Sequence, residues 1–161
     1  MDCRLQYLNQ ARDRNFTRYH TMSRWSSIPI TLSNLTLANT LPVGQSFLWH
    51  RYPVGEAGPS EASEEFSRAV DNPPRVVRLR QTPTHLQYTA VYPDASSEER
   101  DKALSATQTW IHDYFQLDYD LDKLYKEWTA RDPSLFGKID IDGKAVGVRL
   151  LRQDPWECLV A

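Results

Sequence analysis

Cysteine is scarce in this chain of 161 residues: Cys3 and Cys158 stand at opposite ends. Disulfide scaffolds need denser cysteine, so that class is set aside and a reducing compartment fits better. Long apolar runs are missing as well. No stretch of about eighteen apolar residues occurs, so no membrane-spanning helix is expected. An excess of charge is also absent, with 19 Lys and Arg against 21 Asp and Glu. A net charge of −2 is not the footprint of a protein that grips nucleic acid by charge alone, and any hold on DNA is shared with something else. His20, His50, His85 and His112 have no metal-ligand spacing with each other or with the cysteines. No Gly-rich phosphate loop precedes a Lys, and Asp140 and Asp142 lack the remaining ligands of a calcium loop. Neither a metal nor a cofactor is expected.

What is present suits one globular domain with a single core. Residues 1–24 carry Arg4, Arg12, Arg14, Arg18 and Arg24 with no Lys. They read equally as a disordered tail or a targeting segment; Asp2 and Asp13 weaken the second reading, and Met22 is an alternative start. The domain begins at Trp25. Ile28, Ile30 and Leu32 alternate around Pro29, and Leu35 and Leu37 extend the alternation as a first strand. Ala38 to Pro42 reads as a helical turn and Ser46–Arg51 as a strand. Residues 52–65 are rich in Gly, Pro, Ser and Glu and are expected to form a mobile loop.

Phe66–Val70, Val76–Gln81 and His85–Tyr92 then read as strands of an antiparallel meander, joined by turns at Asn72-Pro73-Pro74 and Thr82-Pro83-Thr84. Arg78 and Arg80 share a strand face that is expected to be solvated. Ser96 and Glu99 form a capping box for a helix whose apolar stripe is Leu104, Thr107, Ile111, Tyr114 and Phe115. Asp120 opens another, with Leu121, Leu124, Tyr125 and Trp128 on its buried side. Asp132-Pro133 starts a short helix through about Phe136, in competition with a hairpin turning at Asp142-Gly143. Asp154, Pro155 and Glu157 are cap, first-turn Pro and capping-box residue of a last helix, which the chain leaves about two turns later, as though cut in mid-element. The expected class is α+β: a curved antiparallel sheet of about five strands with helices packed on one face.

Leu41-Pro42-Val43-Gly44-Gln45-Ser46-Phe47-Leu48-Trp49 is the most distinctive stretch. Pro42 and Gly44 punctuate a turn of the kind that presents bare backbone to a ligand. From spacing alone an ordinary loop with a helix-stop Gly is the favoured reading. This stretch resembles the Gly-Gln-Ser-Phe segment of eukaryotic 8-oxoguanine DNA glycosylases. Two further blocks resemble the same family in the same order: Tyr114-Phe115-Gln116-Leu117-Asp118 with Leu121, Leu124-Tyr125 and Trp128, and then Gly147-Val148-Arg149-Leu150-Leu151-Arg152-Gln153-Asp154-Pro155-Trp156-Glu157-Cys158-Leu159. The likeness runs from about Trp25 to Ala161; Leu48 departs from it, standing where many relatives carry Arg.

The resemblance implies a TATA-binding-protein-like sheet in residues 25–153, and in 154–161 the start of a helix-hairpin-helix catalytic domain. It implies action on double-stranded DNA carrying 8-oxoguanine opposite cytosine, in base excision repair, in the nucleus or the mitochondrion. The base is flipped into a pocket, a Lys amine attacks the sugar, and an Asp assists. No residue of this sequence matches that Lys or that Asp, so no catalytic residue is assigned and the chain by itself is expected to be inactive. The resemblance places Gly44, Gln45, Ser46 and Phe47 at the base pocket, with Trp49, Arg149 and Asp154 as structural support. A non-catalytic module that binds a partner or DNA is the alternative.

Overall fold

The computed structural model describes residues 24–54, 62–138 and 146–160. The N-terminal tail and the proposed turn at Asp142-Gly143 lie outside these residues. Five strands form one antiparallel sheet in the order β1-β5-β4-β3-β2: β1 Ser26–Pro29, β2 His50–Pro53, β3 Glu64–Val70, β4 Arg75–Gln81 and β5 His85–Val91. Six helices complete the described fold: α1 Leu37–Thr40, α2 Ala95–Leu104, α3 Ala106–Tyr114, α4 Leu121–Arg131, α5 Pro133–Phe136 and α6 Pro155–Val160. The class is the expected α+β arrangement.

Alternation decides which face of the sheet is covered. In β4, Val77 and Leu79 are fully buried; their cross-strand partners include Phe66 of β3 and Tyr88 of β5. These side chains meet Ile111, Tyr114 and Phe115 of the α3 region to form the core, together with Leu35, Leu37, Leu41 and Leu86. Burial of large apolar side chains at this density is the main force holding helix to sheet.

Several boundaries differ from the sequence expectation. Leu35 and Leu37 are buried but do not extend β1. The amides of Asn34 and Leu35 both donate to the Thr31 carbonyl, which closes a turn, and the Gln81 side chain bonds Leu35 O and Leu37 N in place of a neighbouring strand. The strand expected at Ser46–Arg51 is instead His50–Pro53, because pairing with β3 begins at His50↔Ser67. Tyr52, Pro53, Glu64 and Glu65 belong to paired strands rather than to a loop; residues 55–61 between them lie outside the described set. The N-cap of α2 is Asp94, which accepts from Ser97 N at 2.7 Å, not Ser96. The expected single helix is two: Ser105 takes a left-handed conformation (φ +48°), so Leu104 points out and is 70% exposed. On α4 no residue is fully buried, since Tyr125, Trp128 and Phe136 pack mainly on one another, at 5.6 Å between successive ring centroids.

The uncovered face of the sheet departs most. Arg78 and Arg80 are not simply solvated: Nε of Arg78 donates to Glu65 Oε1 at 2.6 Å and Nε of Arg80 to Oε2 at 2.9 Å. Both guanidiniums lie over the Trp25 ring, at 5.6 and 4.5 Å. Burial pushes the Glu65 carboxyl up, but the two arginine hydrogen bonds and charges outweigh it and hold it below its ordinary value. A carboxyl lowered on folding stabilises the fold above its unfolded pKa and loses that contribution as pH falls through the lower, folded one. Unfolding free energy measured against pH should therefore fall more steeply below pH 4.5 in the wild type than in Glu65→Gln. Parallel curves would remove Glu65 from the acid response.

Candidate functional site

The turn after α1 is built from its two ends. Leu41 N donates to Leu37 O at 2.9 Å, and the Leu41 side chain is buried, which fixes the entry. Gly44 then adopts φ +85°, and a Cβ built there would meet nothing within 4 Å. A side chain would therefore strain the backbone rather than crowd the turn. On the far side, the Gln45 side chain behaves like an extra peptide unit. Its Nε2 donates to Arg149 O at 2.8 Å and its Oε1 accepts from Leu151 N at 3.2 Å. Gln45 thereby pairs with the irregular strap of residues 146–153. Ser46 is buried, and its Oγ donates to Glu157 Oε1 at 2.9 Å. Phe47 points outward and is 68% exposed.

The strap is fixed in turn. Arg149 is buried and donates Nε to Asn34 O at 2.5 Å, Nη1 to Gln116 O at 2.7 Å and Nη2 to Tyr119 O at 2.9 Å. Burial pushes its guanidinium pKa down, with the Asp120 charge opposing. Gly147, at φ +71°, lies against Leu32 and Thr36, and its carbonyl accepts from Thr36 N and Thr40 Oγ1. Asp154 caps α6, accepting from Trp156 N at 2.8 Å.

Beneath the turn sits a group that the strand pattern concealed. Arg68 lies on the core side of β3, with its guanidinium 5.7 Å from the Trp49 and Trp110 ring centroids and 5.2 Å from Tyr114. It donates to the Tyr114 hydroxyl at 3.0 Å and to both oxygens of Glu157 at 3.4 Å. Trp49 Nε1 donates to the same hydroxyl at 3.0 Å. Glu157 thus holds Ser46, Arg68 and Gln153 together. The sequence presented Glu157 as a capping-box residue, and its side chain turns to the sheet instead. Period two places Arg68 on the face of Phe66, which was the available signal.

Gly44, Ser46, Phe47 and Trp49 share a concavity of about 190 Å³ with Leu41 and Phe66. A larger one, about 490 Å³, lies on the open sheet face beside Tyr52, Arg78 and Arg80, away from the Gly44 turn. Its guanidiniums are already engaged by Glu65. Among the described residues no three of His, Cys, Asp and Glu converge to hold a metal ion, and no helix is long and apolar enough to cross a membrane.

The model of the 8-oxoguanine DNA glycosylase N-terminal domain matches residues 27–159. The chain belongs to that family. Within the family it is similar to the N-glycosylase/DNA lyase OGG1 of Arabidopsis thaliana, 29% identical over 85% of this chain and 32% of that protein. It is likewise similar to the N-glycosylase/DNA lyase of Saccharomyces cerevisiae, 30% identical over 86% of this chain and 33% of that protein. The chain therefore spans about a third of the length of these relatives. The 8-oxoguanine glycosylase domain match takes in both the Gly44 turn and the strap that clamps it.

Proposed function

We propose that this domain is the N-terminal, lesion-reading part of an 8-oxoguanine DNA N-glycosylase/lyase that acts on double-stranded DNA with the oxidised purine opposite cytosine. On this reading it serves base excision repair in the nucleus or the mitochondrion, and residues 154–161 lead into the catalytic helices. Nothing in the 161 residues matches the nucleophilic Lys or the assisting Asp, so the chain supplies recognition while chemistry comes from the rest of such an enzyme. Trp156 and Leu159, 69% and 73% exposed on α6, suit a surface that those helices would cover.

The observation that carries the reading is the Gly44 turn, open to an incoming group yet fastened by Gln45 and Ser46. Guanine N7 is an acceptor, as its major-groove pattern shows. Oxidation at C8 places a proton on N7 and makes it a donor. A main-chain carbonyl at Gly44 accepts that proton and repels the lone pair of undamaged guanine. One such contact in a dry site is worth about 1–3 kcal/mol, roughly ten- to a hundredfold in discrimination.

The test joins residues 24–161 to the remaining part of the Saccharomyces cerevisiae relative. Gly44→Ala should lower excision of 8-oxoguanine about tenfold more than binding of an abasic-site analogue, which has no base to read. Equal losses on the two substrates would reduce Gly44 to a folding role and overturn the reading.

A further inference from the structure

We propose that Glu157 is a positioning residue for the Gly44 turn, acting through Ser46 and held in place by Arg68. The inference rests on the reading of Gly44 given above. Its basis is the geometry of one carboxylate. Glu157 Oε1 accepts from Ser46 Oγ at 2.9 Å and from Gln153 Nε2 at 3.2 Å. Both of its oxygens face the Arg68 guanidinium at 3.4 Å. The Arg68 and Glu157 side chains are only 10% and 15% exposed.

A buried carboxylate needs charge and hydrogen bonds around it, and Arg68 provides both. Arg68 cannot drift, because the Trp49, Trp110 and Tyr114 rings surround it and the Tyr114 hydroxyl accepts from it. Position thus passes from the aromatic cluster to Arg68, to Glu157, to Ser46, and so to a backbone two residues from Gly44. Gln45 constrains the same turn from the strap side. The two clamps differ in one respect. The Gln45 clamp grips backbone, whereas the Glu157 clamp ties the turn to the first turn of α6. Whatever shifts α6 therefore moves the lesion-reading carbonyl, which makes helix placement part of selectivity.

Two measurements separate this proposal from the reading on which it rests. The first uses the 161-residue chain and amide hydrogen exchange at residues 44–48. Ser46→Ala and Glu157→Ala should each speed exchange there about five- to tenfold, with the amides of β4 unchanged. The double variant should be no faster than Glu157→Ala alone, because the Ser46 bond is already lost there. Glu157→Gln keeps an acceptor for Ser46 and should restore slow exchange. Unchanged exchange in Ser46→Ala, or additive effects in the double variant, overturns the positioning role.

The second measurement uses the joined enzyme described above. Ser46→Ala should lower 8-oxoguanine excision about fivefold more than binding of the abasic analogue. Faster exchange with that ratio unaltered supports the positioning role and overturns the reading of Gly44 instead.

Discussion

Arg149→Ala should destabilise the domain by about 3–5 kcal/mol, a large part of the roughly 5–15 kcal/mol that holds a domain of this size together. The guanidinium is satisfied by main-chain carbonyls of Asn34, Gln116 and Tyr119, drawn from two segments far apart in sequence. Truncation removes the donor from Asn34 O and Tyr119 O, at about 1–3 kcal/mol for each that water does not reach, while Gln116 O keeps the Tyr119 amide. Arg149→Lys should recover only part of the loss, because an ammonium cannot reproduce the planar fork that meets three acceptors at once. Urea unfolding of the two variants checks both statements. A lysine variant with the wild-type midpoint would show that charge alone matters at this position.

Gly147→Ala should be comparably severe, for a different reason. The residue sits at φ +71°, where a Cβ costs about 1–2 kcal/mol in torsion. That Cβ would also overlap Leu32 O and lie 2.7 Å from Thr36 N, and both are backbone atoms that cannot swing aside. Relief requires moving the strap, which breaks the Thr36 N to Gly147 O bond and adds about 1–3 kcal/mol of packing strain. Gly44→Ala is the control. It has a similar positive φ but open space around it, so it should lose only the torsional part, about 1–2 kcal/mol. Thermal unfolding of the two alanine variants should separate them clearly. Equal losses would mean that the contact with Leu32 and Thr36 relaxes freely.

Much of the sheet was legible because β3, β4 and β5 alternate and are separated by turn residues. The turn at Gly44 was legible as punctuation, and Arg149 and Asp154 stood in a distinctive block. What could not be read was how these pieces touch. Gln45 imitates a strand by hydrogen-bonding the strap, so the chain beside it does not have to be one. Asp101 draws Thr107 and Tyr92 into one polar cluster with Arg75, whose side chain is 1% exposed, and the helix breaks at Ser105 between them. Arg68 inverts the usual rule that a core-facing strand position is apolar, because three aromatic rings and a carboxylate receive it. Each case is a tertiary contact overriding a local preference, and local patterns do not name the partner that receives it.

The order of strands bears on how the molecule assembles. β1 and β2 are neighbours in sequence yet occupy opposite edges of the sheet. The β3-β4-β5 meander closes through short turns and can form from local contacts. β1 must find β5 across the intervening chain, pairing Ser26 with Tyr88, and the strap must return from residue 149 to reach Asn34. Such long closures lose chain entropy before contacts reward them, so they come late on the folding route. The Gly44 turn, clamped on its far side by late-arriving pieces, is then among the last parts to set. Weakening the strap at Arg149 or Gly147 should consequently hasten unfolding while leaving the refolding rate almost untouched.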